Sequence, residues 1–157
     1  MKSTVRLWLA GVAMVGALVL SACGGGGGGQ TPAGTGGGLN FGTPGENLAF
    51  EPATATVAAG SQVSVTFTNN STAQQHNWVL VNGGDDVAAQ VAEAGINAGP
   101  PDYLPADKAN VIASTKMLQP GGSETISFTA PAAGTYTFLC TYPAHYAGGM
   151  KGTLTVQ

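Results

Sequence analysis

The chain has 157 residues, five Lys and Arg against eight Asp and Glu, a formal charge of −3 at neutral pH, and only 8% charged residues. Such a length holds one domain and an appendage, and the lack of any basic run excludes an electrostatic nucleic-acid binder. Two cysteines, Cys23 and Cys140, and two histidines, His76 and His145, are too few for a disulfide framework or a multinuclear metal centre.

At the N-terminus Lys2 and Arg6 precede an apolar run from Leu7 to Leu20, then Ser21-Ala22-Cys23. This is the charged, apolar and small-residue order of a secretory signal, so residues 1–22 read as a signal peptide. The run is shorter than the roughly 20 residues a membrane-spanning helix needs. Leu20-Ser21-Ala22-Cys23 resembles the bacterial lipobox, in which the cysteine receives a diacylglyceryl group and becomes the new N-terminus. Cys23 is therefore the expected lipidation site; the alternative is a small residue inside an apolar segment. Without residues 1–22, three lysines (Lys108, Lys116, Lys151) face eight carboxylates, a balance of −5.

Gly24 to Gly29 is an unbroken glycine run, followed to Gly38 by Gly, Thr and Pro. Residues 23–38 cannot bury apolar surface and read as a lipid-anchored tether with a root-mean-square reach of roughly 20 to 25 Å. From Leu39 apolar and small polar residues alternate. Thr54–Ala58 and Gln62–Thr68 read as strands around Ala59-Gly60, with Val63, Val65 and Phe67 on one face. His76–Val81 reads as a buried strand with His76 at its entry. Asp85–Ala94 reads as a short helix, Val87 and Val91 on one side, capped by Asp85 and stopped by Gly95. Residues 95–110 read as a flap packed on the domain or as a loose connection. Ser123–Thr129 is expected to be a strand with Ile126 and Phe128 on opposite faces, and Gly134–Cys140 and Gly152–Val156 complete the set. Short strands separated by turn signals argue for an all-β sandwich.

The chemistry concentrates at Cys140-x4-His145-x4-Met150. Tyr136 and Phe138 alternate into Cys140 as in a strand, whereas Pro143 and Gly148-Gly149 place His145 and Met150 on a loop. Thiolate, imidazole and thioether together suit copper, and two histidines, one cysteine and a weak axial methionine describe an electron-transfer copper site. His76 is the one histidine left to complete that set. Zinc also accepts His2Cys, but a catalytic zinc site would leave Met150 without a role.

On these residues the segment from Leu48 to Gln157 resembles the cupredoxins, the small blue-copper proteins, and the loop spacing is most similar to the auracyanins, azurin-like proteins of anoxygenic phototrophic bacteria. The resemblance implies a Greek-key β-sandwich over 39–157, with a short inserted helix and flap. It implies one copper ion, cycling between Cu(II) and Cu(I), held by His76, Cys140, His145 and Met150. It further implies that the ring edge of His145 reaches solvent, that Asn77 ties its loop to Thr141, that the Gln75 carbonyl offers a second weak axial contact, and that the Tyr136 hydroxyl bonds to backbone. Azurins usually carry a disulfide near their first strand; this chain departs from them there. The implied function is single-electron transfer rather than catalysis. The implied partners are redox proteins: a membrane quinol-oxidising complex as donor and a cytochrome or reaction centre as acceptor. The protein would work as a lipid-anchored monomer on the extracytoplasmic face of the cell membrane. The alternative is an extracytoplasmic copper store without an electron partner, although Met- or His-rich tracts are absent.

Overall fold

Alternation of apolar and polar residues sorts the chain into two sheets. The computed structural model describes residues 38–157; the signal segment, Cys23 and the tether up to residue 37 lie outside the described residues. In chain order the elements are β1 (Gly38–Gly42), β2 (Thr54–Val57), β3 (Gln62–Thr68), β4 (Val79–Val81), α1 (Asp85–Ala98), β5 (Val111–Ser114), β6 (Ser123–Thr129), β7 (Gly134–Leu139) and β8 (Lys151–Val156). One sheet has the order β1-β3-β6 and the other β2-β8-β7-β4-β5. β1 runs parallel to β3 and β2 parallel to β8, while the remaining pairs are antiparallel.

Val63, Val65 and Phe67 of β3 are buried on one face, as the period-2 pattern requires. The expectation that Ile126 and Phe128 face opposite ways is overturned. Residues two apart in a strand share a face, and both side chains pack into the same core from β6. That core is aromatic: Phe138 sits with its ring centroid 4.9 Å from Phe41, 5.2 Å from Phe50 and 5.4 Å from Trp78. Phe138 and Trp78 stand two residues from Cys140 and His76 respectively, so the floor of the candidate site is the roof of this cluster. Tyr136 donates its hydroxyl to the Ala132 carbonyl at 2.8 Å.

Two helix signals are corrected. The N-cap is Gly84, which makes no side-chain cap, and Asp85 is the first helical residue. Gly95 does not stop the helix; α1 continues to Ala98 and ends at Gly99, whose φ of 72° is the left-handed value that favours glycine. Gly95 is there for space. A Cβ on it would run into the Tyr103 carbonyl oxygen and lie 3.2 Å from Thr141 Cβ. This lets α1 press on the segment that follows Cys140. The helix buries Ala88, Val91 and Ala92 in a second cluster with Val79, Val81 and Leu139. The segment after it is docked rather than loose: Leu104 packs on that cluster, and Asp102 accepts the Met117 amide at 3.2 Å.

Gly95→Ala is expected to lower stability by about 1 to 3 kcal/mol, the usual cost of overpacking, read as a lower urea midpoint at unchanged slope. A midpoint equal to that of the wild type would show that the helix can back away from Tyr103 and Thr141.

Candidate metal centre

Three backbone segments deliver the donors. Cys140 lies one residue beyond β7 and is fully buried. His76 precedes β4 and is anchored by an isolated antiparallel bridge: its N–H donates to the Leu118 carbonyl at 3.1 Å and its carbonyl accepts the Leu118 amide at 2.8 Å. The loop from Thr141 to Met150 is closed by its own backbone. The Met150 amide donates to the His145 carbonyl at 2.9 Å, and the Cys140 amide donates to the Met150 carbonyl at 3.1 Å. Peptide hydrogen bonds thus join Cys140, His145 and Met150 in one chain before any metal bond is considered.

Cys140 Sγ lies 3.5 Å from His145 Nδ1 and 3.9 Å from His76 Nδ1, and the two nitrogens are 3.1 Å apart. The point equidistant from this triangle's corners is about 2 Å from each, the length of a metal–nitrogen bond and slightly short of a metal–sulfur bond of about 2.3 Å. The three donors, all buried, therefore fit a single ion without moving far. Met150 is fully buried on the same aromatic core, in position to complete the set. His145 meets solvent less than expected: it is 4% exposed, with the Tyr142 and His76 rings each 4.7 Å away.

Asn77 joins the two ligand-bearing loops. Its Oδ1 accepts the Thr141 amide at 2.9 Å, and its Nδ2 donates to Thr141 Oγ1 at 2.8 Å and to the Asp102 carbonyl at 3.2 Å. Gln75, half-buried, stands one residue before His76. Asp102 is the participant that sequence reasoning missed, and no side-chain signal could have revealed it, since the contact to Asn77 uses its backbone carbonyl.

Burial sets the protonation states. Desolvation, followed by repulsion from His145, lowers His76 from 6.5 to about 4, against a weaker upward pull from Glu46. Burial also lowers His145. The Cys140 thiol is pushed up to about 11 by burial, against the opposing pull of the Asn77 and Tyr142 amides. At neutral pH both imidazoles therefore offer lone pairs, while the thiol keeps its proton until a metal displaces it.

A pH dependence follows for the protein stripped of metal. As pH falls below 6.5 the unfolded chain protonates His76 before the folded chain does, so the unfolded state binds more protons between about 6.5 and 4. Stability is expected to fall across that window by on the order of 2 kcal/mol, and His76→Gln should flatten the slope. Urea titrations at several pH values check this; an identical slope in the variant would contradict it.

Comparison with known proteins agrees with this geometry. The family described as copper binding proteins, plastocyanin/azurin family, matches residues 39–157. Auracyanin-A of Chloroflexus aurantiacus is 49% identical over 163 aligned positions, covering 100% of both chains. An azurin of Achromobacter denitrificans is 40% identical over 89 positions, 54% of this chain and 58% of its own. A crystal structure of dithionite-reduced auracyanin from Roseiflexus castenholzii aligns at 65% identity and a TM-score of 0.77, covering 80% of this chain and 98% of that one.

Proposed function

Since the chain belongs to the plastocyanin/azurin family of copper-binding proteins, as a type 1 blue copper protein of the auracyanin and azurin kind, we propose that it carries single electrons between membrane-associated redox complexes. Copper, when bound, supplies a one-electron couple between Cu(II) and Cu(I). The protein supplies everything else. His76 and His145 would hold the ion through neutral imidazole nitrogens, Cys140 through its thiolate, and Met150 through a weakly binding thioether. The Gln75 carbonyl would add a further weak contact, and the Asn77–Thr141 pair is assigned the task of fixing the two loops.

The observation that carries this function is the convergence of Cys140, His76 and His145 at 3.1 to 3.9 Å inside a buried frame. Donors already placed for one ion need little movement when its charge changes, so little rearrangement opposes electron transfer. His145, buried to all but 4% beneath the surface, is the assigned entry point. Its surroundings, Ala144, Ala147 and the Tyr142 ring, suit a short-range, partly apolar encounter with a partner.

The donor is assigned to a membrane quinol-oxidising complex, and the acceptor to a cytochrome or photosynthetic reaction centre. Lipid on Cys23 and the glycine tether would hold the monomeric domain at the outer face of the cell membrane, within reach of both. No described helix is long and apolar enough to cross a membrane. No enzymatic turnover is assigned, because the chain's two histidines build one centre and leave none for the second that copper reductases and oxidases need.

Broadening of the proton magnetic resonances of reduced protein as oxidised protein is added decides between carrier and store. Rapid electron self-exchange with copper retained is the expected result. A protein that trades its metal with chelators yet passes electrons only slowly would instead be a copper store.

A further inference from the structure

Beside the metal centre, two side chains assigned no ligand role meet on the carboxylate of a third. Asp85, the first residue of α1, accepts the Tyr146 hydroxyl on Oδ1 at 2.8 Å and Lys151 Nζ at 2.8 Å on each oxygen. The same hydroxyl also reaches the Asp85 backbone carbonyl at 3.0 Å, and Lys151 Nζ stands 5.2 Å from the centre of the Tyr146 ring. The positions matter more than the bonds. Tyr146 follows His145, and Lys151 follows Met150, so both loop ligands lie one peptide away from a residue held by Asp85. The Tyr146 ring also packs on the cluster that α1 builds with β4 and β7.

We propose that Asp85 is a positioning residue for the metal centre: through Tyr146 and Lys151 it pins the ligand loop to α1 and thereby fixes where His145 and Met150 stand relative to Cys140. The proposal rests on the copper assignment above. Asp85 touches no ligand itself and acts only through its two partners. Its side chain is 60% exposed and that of Lys151 42%, and an ion pair so open to water contributes little to global stability. The effect is therefore local, on the geometry and opening of the loop. Lys151 is one of three lysines left after residue 22, and the chain places it here. A general preference for acids at a helix N-terminus does not account for the arrangement, because Asp86 in the same turn offers that charge without any hydrogen bond to the loop.

The test uses the full chain with Asp85→Ala, Asp85→Asn, Tyr146→Phe and, as a control for charge, Asp86→Asn. Two readouts are followed: the relative intensity of the visible bands and copper hyperfine splitting after loading, and amide hydrogen exchange over residues 145–151 in protein stripped of metal. Asp85→Ala is expected to keep one copper and nearly the wild-type urea midpoint, to alter the band ratio, and to speed loop exchange about tenfold. Asp85→Asn and Tyr146→Phe should fall between it and the wild type, and Asp86→Asn should match the wild type. Wild-type bands and loop exchange in Asp85→Ala would overturn the proposal, as would the same changes in Asp86→Asn. If Asp85→Ala does not fold, Tyr146→Phe decides, since it removes only a hydroxyl; wild-type values there sink the clamp. Failure of the wild type to take copper would instead overturn the copper assignment, and the exchange measurement would still decide whether Asp85 holds the loop.

Discussion

Everything at the metal centre depends on one buried amide bridging two loops 64 residues apart in sequence. Asn77 uses both ends of its side chain on Thr141, accepting its amide and donating to its hydroxyl. Each residue is adjacent to a donor, Asn77 to His76 and Thr141 to Cys140. Both are essentially without solvent contact, so an unpaired end could not turn to water and would bear the full cost of a buried, unsatisfied polar group. A hydrogen bond that is costly to leave unmade is one that holds geometry. Here it holds the imidazole of one loop beside the thiol of the other.

Around that tie the sequence layers its residue types by task. Phe41, Phe50, Phe67, Trp78 and Phe138 form a packed floor that fixes the strand ends through shape. The donors sit on this floor, where exclusion of water keeps both imidazoles neutral and the thiol protonated. Backbone bonds knot the loop from Cys140 to Met150, and Gly149, with a φ of 100°, turns where other residues would be strained. Outside lies the exposed carboxylate of Asp85. Apolar packing supplies stability, buried hydrogen bonds supply geometry, and surface charge contributes only local restraint.

The parts of this arrangement that could be read from sequence are those carried by periodicity or by rare residues. Val63, Val65 and Phe67 mark their strand by alternation, and with only two histidines in the chain and Cys140 the one cysteine among the described residues, the donor set is nearly forced. What escaped depends on tertiary contact. β5 has no alternation to read, since all four of its residues are half-buried, and β1 begins in Gly38, inside a glycine tract that composition assigns to the tether. Gly95 looks like a helix terminator until Tyr103 and Thr141 are seen against it. Asp85 looks like a cap, yet its carboxylate turns toward residues 61 and 66 positions away. Ile126 and Phe128 stand two apart in β6 and so share a face, a consequence of the two-residue repeat that the sequence itself supplies.

The arrangement of His76, Cys140 and His145 for one ion, with Met150 buried on the same core, is what all else turns on. Titrating the stripped protein with Cu(II) while following visible absorption addresses it directly. The account requires an intense sulfur-to-copper charge-transfer band that grows linearly to one equivalent and then stops, with the far-ultraviolet circular dichroism unchanged. Only weak absorption, or an intense band that saturates at a different stoichiometry, would contradict it.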